Sequence, residues 1–475
     1  MMAAAFVGAI VSGPLADIMG RRGLAMACTI LSILGDLLLV SAYELSMFYA
    51  GRAITGVSVG MLSMVLPLYL TEVAPLSLRG RAIAFHQFCI ILGISIAFWV
   101  TYGSYYLYED KAWRVPLGVQ LIPTLIFGVA LFLVPQSPRY LVQKHRDEEA
   151  LKVLSMIRGD GTIEHSAVQM EFAEIKQTLM FEEKHEKIGY RSLFHRGKDK
   201  NPQRLLLGIF AQAFQQLTGA NTLMLFAPLI FHATGITTGR VPTLFANGIS
   251  GVVMVVATIP AMLLIDRWSR RKTMIIGALG CGVSLLVMSI IAGTSQYEYD
   301  GLEHYFSDAA AHSEYDSSTS MGCPTPRSVI FFAMFYIFLA FYGCTWGPLG
   351  WIYPAELYSQ GVRSKALGIT TASNWFFTFG VIQIAPLAFE QIQWKVYVIY
   401  CVFCFTIAAI VYRYFPETRG KSLEEMDLLF SGNFKSFDPA VHHPTTASEA
   451  LAYIEQKNSK YNNQLSFMDV TTSTE

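Results

Sequence analysis

Long apolar stretches separated by short polar connections make up most of the chain. They are longer than the strands of a membrane β-barrel, and lipid cannot satisfy open backbone groups, so each stretch is predicted to be a helix. The pattern therefore predicts an all-α membrane protein. Eleven stretches are found, at residues 1–16, 24–42, 48–70, 83–103, 115–134, 205–231, 245–265, 274–294, 329–353, 366–389 and 395–414.

The first apolar stretch is short for a membrane span. Residues 1–16 would give about 24 Å of helix at about 1.5 Å per residue, whereas a crossing takes about 20 residues. The stretch runs into "GPLADIMGRR", so its positive charge follows the apolar run, which is the reverse of a secretory signal peptide. We expect residues 1–16 to be the remainder of a longer helix, in an incomplete or truncated product.

Two other segments have a different character. Residues 135–204 are long and charged, and runs such as "EEALKVLSMI" and "MEFAEIKQTLMF" repeat apolar residues at three- and four-residue spacing. This spacing predicts short amphipathic helices lying on the membrane surface. Residues 431–475 are polar and rich in Ser, Thr and Asn, which is typical of a disordered tail.

The basic residues of the connections predict the orientation of the chain. They follow every second span and so share one face, which the positive-inside rule makes cytoplasmic. The opposite connection, 295–328, carries six acids against Arg327 alone. The tail is then cytoplasmic and the N-terminus exterior. The basic positions are Arg21, Arg22, Arg79, Arg81, the segment 135–204, Arg267, Arg270, Arg271, Lys272, Arg363 and Lys365.

Composition supports the membrane class and argues against several others. Hydrophobic residues make up 53% of the chain, charged residues 15%, and the mean hydropathy is +0.40. The net charge is zero and no basic run is interleaved with aromatic residues, so nucleic-acid binding is not expected. The seven cysteines lie mostly inside apolar stretches and do not suggest a disulfide framework. Cys401 and Cys404 form a C-x-x-C in an apolar helix, where packing is favoured over metal binding.

Three charged motifs occur twice, in the same order. They are "ADIMGRR" and "IDRWSRR", "TEVAPLSLRGR" and "PAELYSQGVRSK", and "VPQSPRYL" and "FPETRGKSL". In the first two pairs an acid precedes an arginine at the same spacing, which indicates a parallel duplication about an axis along the membrane normal. The second half has six spans and the first has five, so the first half lacks its opening helix. The predicted domains are an N-terminal bundle (1–134), a cytoplasmic linker (135–204), a C-terminal bundle (205–430) and the tail (431–475).

These motifs carry a family resemblance. With "GRAITGVSVG", "QQLTGAN" and "GPLGWIYPAELYSQGVRSKALGITTASNW" added, the chain resembles the sugar porter family of the major facilitator superfamily over residues 1 to about 430. The resemblance implies two six-helix halves around a central cavity that opens to either side in turn, with about 11 of the 12 spans present here. Members of the family move monosaccharides or related polyols, some coupled to protons and some passively.

The repeated acids and arginines predict a cytoplasmic latch. Ion pairs at helix ends would hold the halves together while the cavity faces outward and break when it opens inward. The alternative, that the charges only set topology, explains the arginines but not acids at matched spacing. Gln136 and Ser269 replace a glutamate and a glycine of the family, and we expect both changes to loosen the latch. The predicted latch residues are Asp17, Arg21, Arg22, Glu72, Arg79, Asp266, Arg270, Arg271, Glu356 and Arg363.

A sugar site needs amides for the hydroxyl groups and aromatic faces for the C–H surfaces. Leu225, Phe226 and Met254 stand where many family members have polar side chains, so a common hexose is not assured, and a pentose, a polyol or another carbohydrate remains open. Interhelical hydrogen bonding is the alternative role for each amide. By resemblance the binding residues are Gln87, Gln215, Gln216, Asn221, Trp351, Asn374 and Trp375, with Tyr342 as a further aromatic candidate.

Arg52 is a charge inside a span, which marks function and calls for a partner. In proton-coupled relatives that partner resembles an Asp on the first helix, which this chain does not contain. The resemblance favours carbohydrate:proton symport, with protons as the coupling ion and no cofactor. A passive carrier, a nutrient sensor and an inactive truncated transporter are the alternatives.

An enzyme is not expected, because no nucleophile or metal set has the required spacing and His304 and His312 lie in an acidic connection. The expected partners are a small carbohydrate and the lipid bilayer. We expect a monomer in the plasma membrane.

Overall fold

The computed structural model describes residues 1–75, 78–107, 110–158, 161–185, 190–194, 200–234, 240–295 and 325–420, together with Met426 and Phe430. Within these residues every regular element is a helix. Most of the predicted acidic connection, the histidines in it, and the predicted tail 431–475 lie outside the described residues.

The first half contains five apolar helices, the last of which is built from two pieces. Apolar and small residues fill these helices, and the basic residues lie at their ends, as expected for membrane spans. Their bounds are α1 (Met2–Met19), α2 (Arg21–Val40), α3 (Leu45–Val73), α4 (Arg79–Ser104), α5 (Lys111–Val119) and α6 (Leu121–Leu133).

Four short helices follow in the charged segment. Three of them enclose a small apolar cluster of their own around Leu141, Val142 and Ala150, separate from the main core. The predicted spacing of apolar residues thus forms a compact unit rather than isolated surface helices. The bounds are α7 (Pro138–Gln143), α8 (Asp147–Arg158), α9 (Ser166–His185) and α10 (Tyr190–Phe194).

The second half repeats the arrangement of the first with additional breaks in its helices. Two of its spans are discontinuous, one divided into three helices and the other into two. The bounds are α11 (Asn201–Leu217), α12 (Ala220–Leu225), α13 (Ala227–Ala233), α14 (Arg240–Leu264), α15 (Arg270–Ser295), α16 (Pro326–Cys344), α17 (Trp346–Leu357), α18 (Arg363–Ile392) and α19 (Lys395–Tyr414).

Ten of the eleven predicted stretches correspond to helices long and apolar enough to cross a membrane within the described residues. The prediction of one continuous helix over 205–231 is wrong, because this stretch forms α11, α12 and α13. The first break falls at Gly219, whose φ of 86° is left-handed and whose Cα faces the ring of Tyr400. A Cβ at that position would lie 2.7 Å from the ring, so both the backbone and the packing require glycine there.

The two halves meet along two pairs of helices. α1 of the first half packs on α18 of the second, and α4 packs on α14. One end of the bundle carries Arg21, Arg81, Arg270 and Lys365, and this end is called the basic end below. Small residues permit close packing within the halves as well, as between α1 and α3.

Gly60 of α3 shows how tight this packing is, because a Cβ there would lie 2.7 Å from the Cα of Ala5 in α1. We expect Gly60→Ala to destabilise the protein by about 1–3 kcal/mol through overpacking. Thermal unfolding of the detergent-solubilised protein measures the effect. Gly93→Ala is the matched control, since no atom lies within 4 Å of its added Cβ. Equal melting temperatures for the two variants would contradict the close approach of α1 and α3.

Candidate functional site

A buried amide cluster joins three helices of the second half. Gln215 of α11 donates through Nε2 to the carbonyl oxygens of Trp346 (3.0 Å) and Gly347 (2.9 Å) in the first turn of α17. Asn374 of α18 donates through Nδ2 to Gln212 Oε1 (2.5 Å) and to Gln215 Oε1 (2.8 Å). The structure therefore brings two of the predicted binding residues together and adds Gln212. In this conformation their polar groups are engaged with the protein.

A second amide pair lies beside the Gly219 break. Asn221 of α12 donates through Nδ2 to Gln216 Oε1 of α11, at 2.5 Å. The two residues flank the break, so their hydrogen bond spans the point where the helix changes direction. Gln216 is buried and Asn221 is half-buried. Both are predicted binding residues, and the structure places them next to each other.

The remaining predicted binding residues lie where the two halves touch. Trp375 of α18 donates through Nε1 to Ser63 Oγ of α3, at 3.0 Å. Gln87 of α4 is 6% exposed and its amide lies against Gly347 of α17. Among the described residues no hydrogen-bond donor reaches Gln87 Oε1. A buried acceptor without a donor is costly, so this oxygen is available to a hydroxyl group that enters between the halves.

Aromatic residues line the same contact between α4 and α17. Trp351, 9% exposed, meets the ring of His86 edge-on with 6.3 Å between centroids. His86 Nδ1 is buried and has no hydrogen-bond partner among the described residues. Tyr342 is buried in α16, close to the break before α17. The sequence analysis missed His86, although it lies next to Gln87 within an apolar span.

The three positions that depart from the family pattern are apolar in their contacts. Phe226 packs against Phe389, with ring centroids 5.9 Å apart, and Met254 is 2% exposed inside the core. Leu225, at the end of α12, is 55% exposed. None of the three supplies a hydrogen bond from its side chain, so the polar groups facing the interface come from the amides.

Each half holds a buried ion pair at the basic end. In the first half Arg21 Nη2 lies 2.7 Å from Glu72 Oε1, and Ser137 Oγ donates to Glu72 Oε2 at 2.5 Å. In the second half Arg270 Nη2 lies 2.9 Å from Glu356 Oε1, and Thr418 Oγ1 donates to Glu356 Oε2 at 2.5 Å. The residues occupy equivalent repeat positions, so the duplicated motifs build the same network twice.

These buried pairs join helices within one half and do not connect the two halves, which corrects the predicted role of Arg21, Glu72, Arg270 and Glu356 as cross-half contacts. Within its own half, Arg363 donates through Nη2 to the carbonyl of Tyr358 at 3.0 Å. Arg79 is the first residue of α4.

At the basic end, each of the two aspartates contacts the other half. Asp17 Oδ2 accepts a hydrogen bond from Ser364 Oγ (3.0 Å) and lies 3.9 Å from Lys365 Nζ. Asp266 Oδ2 accepts from Arg81 Nε at 2.9 Å. Lys365 and Arg81 occupy equivalent positions of the second repeat motif. The two contacts are therefore reciprocal, because in each one an aspartate of one half contacts a basic residue of the other half.

Arg22 and Arg271 bind the ends of the last helix in their own halves. Arg22 donates to the carbonyls of Leu131 (2.9 Å) and Phe132 (3.1 Å), and Arg271 donates to the carbonyl of Tyr412. A guanidinium at a helix C-terminus satisfies free carbonyls and favours the helix dipole. These two members of the predicted latch are thus positioned within each half.

The two residues that replace family residues, Gln136 and Ser269, both make hydrogen bonds. Gln136 Oε1 accepts from the backbone N–H of Arg22 at 3.0 Å, at the start of α2. Ser269 Oγ donates to Glu417, which also accepts from the backbone N–H of Arg270 at 2.8 Å. Ser269 therefore supplies a side-chain hydrogen bond here, and the expected loosening of the latch stays a prediction.

Arg52 has an acidic neighbour inside the first half. Asp36 of α2 is 2% exposed, and the two charges are close enough to interact. The Arg52 guanidinium also lies over the ring of Phe48, 5.1 Å from its centroid. Asp36 is thus an acidic neighbour of Arg52 within the first half. A lone acid in the apolar stretch 24–42 was the sequence signal that could have identified Asp36.

Glu417, just after the last span, is hydrogen-bonded to the start of α15, and its ionisation makes the stability of the protein depend on pH. Burial opposes its ionisation, but hydrogen bonds from Ser269 and from three backbone N–H groups outweigh burial and lower the pKa of Glu417 below its usual 4.5. An acid with a lowered folded-state pKa stabilises the protein above its unfolded pKa and loses that contribution as the pH falls through the folded value.

We therefore expect Glu417→Gln to melt at a lower temperature than the wild type at pH 7, with the difference closing as the pH falls below 4.5. Thermal unfolding of the purified protein across this pH range measures it. Glu44→Gln, at an exposed site, serves as the control and should show no such pH-dependent difference. A gap that widens toward low pH would contradict the stabilising role of the Glu417 carboxylate.

Comparison with known proteins is consistent with this arrangement. Residues 1–430 match the sugar (and other) transporter family. The high-affinity glucose transporter of Kluyveromyces lactis is 31% identical over 447 residues, covering 94% of this chain and 78% of that protein. High-affinity glucose transporter 1 of Candida albicans is 32% identical over 461 residues, covering 96% of this chain and 82% of its own.

Solved structures show the same fold. The proton:xylose symporter XylE bound to 6-bromo-6-deoxy-D-glucose superposes with a TM-score of 0.73 at 25% identity, covering 90% of this chain and 88% of XylE. The inward open conformation of XylE from E. coli gives a TM-score of 0.61. With ten long apolar helices in its described part, the chain is a multi-pass membrane protein that belongs to the sugar porter family of the major facilitator superfamily.

Proposed function

We propose that this chain carries a monosaccharide across the membrane by alternating access, with the sugar bound between the two halves. The observation that carries the proposal is the set of polar groups at the inter-half contact. There no donor within the described part of the chain reaches Gln87 Oε1, and Trp375 bonds across to Ser63. A ligand entering there must replace contacts between the halves. Binding and movement of the halves are therefore coupled.

The free energy needed to break each ion pair distinguishes contacts that stay formed from contacts that open during transport. Arg21 and Glu72 are 6% and 2% exposed in their side chains, and breaking such a buried pair costs about 3–5 kcal/mol. The Arg81 side chain is 48% exposed, and an exposed pair contributes about 0–1 kcal/mol. The buried pairs thus keep each half rigid, while the weak contacts of Asp17 and Asp266 open and close.

The substrate class follows from the polar groups and from the relatives. Amide oxygens and nitrogens with a nearby indole ring suit sugar hydroxyls and C–H faces. Relatives are named as glucose transporters, and XylE is named as a proton:xylose symporter with a bound glucose derivative. We assign direct contact to Gln87 and Trp351, and a positioning role to Gln215 and Asn374, whose polar groups bond each other.

Orientation and coupling complete the proposal. The positive-inside rule makes the basic end and the C-terminal tail cytoplasmic, so the conformation described is closed toward the cytoplasm. The proposed site of action is the plasma membrane, the proposed unit is a monomer, and protons are the proposed coupling ion. The proton coupling named for XylE supports this choice.

Uptake of radiolabelled glucose and xylose by transporter-deficient cells tests the function. We expect Gln87→Ala to raise KM about 3- to 10-fold, since one hydrogen bond of about 0.5–1.5 kcal/mol to the sugar is lost. The effect on folding should be small, because Gln87 Oε1 accepts no hydrogen bond from the residues that the structure describes. Gln177→Ala, on the exposed side of α9, is the matched control. If cells that express the wild-type protein take up neither sugar above background, the transport proposal is rejected for these substrates.

The gate has a separate test. Removing both charge contacts in Arg81→Ala/Lys365→Ala should shift the population toward states open at the basic end by roughly fivefold, from about 1 kcal/mol in total. Spin labels at Met19 and Lys272, in a cysteine-free background, report the distance between the halves by pulsed electron resonance. Arg146→Ala removes a pair within the linker and is the control. Unchanged distance distributions in the double variant would reject the assignment of these contacts as the gate.

A further inference from the structure

An apolar cavity lies along the seam where α1 of the first half packs on α18 of the second. Its volume is about 520 Å³, within the range of about 300–1,000 Å³ that is typical of small-molecule sites. None of its lining residues belongs to the amide cluster described above. It is called the seam cavity below, and its lining residues are Phe6, Ile10, Tyr190, Ile369, Ala372, Ser373 and Phe376.

The two helices touch by their backbones near the basic end and by aromatic side chains further from it. A Cβ on Gly13 of α1 would lie 3.0 Å from the carbonyl oxygen of Ser364, next to the start of α18. Further from the basic end, the rings of Phe6 and Phe376 touch, with centroids 6.0 Å apart and planes inclined at 52°. The walls of the seam cavity therefore come from both halves, and their surface is uneven.

The described lining of the seam cavity is apolar. Its two hydroxyl groups already donate to the protein, since Tyr190 Oη donates to the carbonyl of Ile10 at 3.2 Å and Ser373 Oγ donates to the carbonyl of Thr370 at 2.7 Å. Water or a sugar placed there would give up most of its hydrogen bonds without replacement. Hydrocarbon is the occupant that these walls favour.

The seam cavity opens sideways toward the bilayer. Phe376 is 57% exposed and Ile10 is 38% exposed, although both lie in membrane spans. Ile369 and Phe376 lie about 9 Å and about 20 Å from Arg363, the first residue of α18, at about 1.5 Å per residue. Because the hydrocarbon core of a bilayer is about 30 Å thick, this depth belongs mainly to the leaflet nearest the basic end. Tyr190 of the linker helix α10 adds a wall from the same side of the membrane.

We propose that the seam cavity binds one acyl chain of a phospholipid from this leaflet, and that the bound chain favours the conformation closed at the basic end. A flexible chain can follow the uneven walls, whereas the rigid, flat ring system of a sterol finds no flat surface between two rings inclined at 52°. Residues of α1 line one side and residues of α18 the other. Opening the basic end separates these walls, so the chain binds the closed conformation more tightly and shifts the population toward it. Binding of the chain does not depend on transport, whereas its effect on closure rests on the proposed alternating access.

Variants that fill the seam cavity test the site. Ile10→Trp adds volume from α1 at a side chain that lines the cavity and is already 38% exposed, so the buried core is left unchanged. Val11→Trp is the matched control, because Val11 is the next residue of α1, is 45% exposed and does not line the cavity. If Ile10→Trp cannot be purified, Ile369→Trp fills the cavity from the opposite wall.

Photolabelling of the purified full chain in phosphatidylcholine nanodiscs measures binding. A small fraction of the phosphatidylcholine carries a diazirine in its acyl chain, and mass spectrometry locates the label after irradiation. We expect the label to be concentrated on the peptides of α1 and α18 that line the cavity. Ile10→Trp should lower this labelling about tenfold, equivalent to about 1.4 kcal/mol of binding free energy, and Val11→Trp should leave it unchanged.

Two results of the labelling would overturn the site. If the label is distributed over all the spans in proportion to their exposure, or if both variants are labelled equally, the walls contact bulk lipid only. If added cholesterol removes the label while the same amount of unlabelled phosphatidylcholine does not, the occupant is a sterol and the acyl-chain proposal is wrong. The labelling is measured without sugar, so a failure of transport leaves its result unaffected.

The effect on closure is measured separately, with spin labels at Met19 and Lys272 in a cysteine-free background. Nanodiscs are made with straight-chain dioleoyl or with methyl-branched diphytanoyl phosphatidylcholine, whose wider chains fit the seam cavity less well. We expect the branched lipid to raise the fraction open at the basic end severalfold in the wild type and in Val11→Trp. Ile10→Trp should respond little, because its indole already fills the cavity. An equal response of all three proteins would overturn the effect of the bound chain on closure.

Discussion

The constraint on which this structure depends is that a polar group inside a bilayer must find its partner within the protein. A continuous helix satisfies its own backbone N–H and C=O groups. At the break beside Gly219 and at the break before α17, polar side chains lie next to the backbone. Gln215 serves the first turn of α17, and Asn221 bonds Gln216 beside the Gly219 break. The same rule surrounds Asp36 with Thr55 and Gln120. Many polar side chains in the spans therefore form bonded sets, whereas Gln87 Oε1 and His86 Nδ1 have no partner among the described residues.

Because the charged motifs are duplicated, the two halves contain the same kinds of buried pair and the same kind of contact to each other. Each half carries a buried arginine–glutamate pair reinforced by a hydroxyl group, and each half offers an aspartate to a base of the other half. Buried pairs are hard to separate because an isolated charge would remain in a dry environment, whereas partly exposed pairs are readily replaced by water. Two rigid bodies joined by weak reciprocal contacts are the arrangement that alternating access requires.

At the centre of the molecule, some amide side chains are bonded to the protein and one has an unbonded oxygen. Gln215 and Asn374 have their polar groups committed to the protein, while Gln87 keeps a buried oxygen with no donor among the described residues. A site in which some amides are fixed and one is unsatisfied can bind a hydroxyl group without first breaking its own framework. The fixed amides hold the helix breaks in place, and the unsatisfied one provides the gain on binding.

The sequence by itself determined the membrane class, ten of the spans, the repeat and the family, because hydrophobic length and matched charge spacing are local properties of the chain. It also identified the charged residues of the basic end. Only the tertiary structure decided which charges pair. Arg21 and Glu72 are 51 residues apart and Arg81 and Asp266 are 185 apart, so spacing along the chain could not distinguish pairs within a half from pairs between halves. The break at Gly219 and the carboxylate beside Arg52 depend on neighbouring helices, whose positions arise from packing rather than from local pattern.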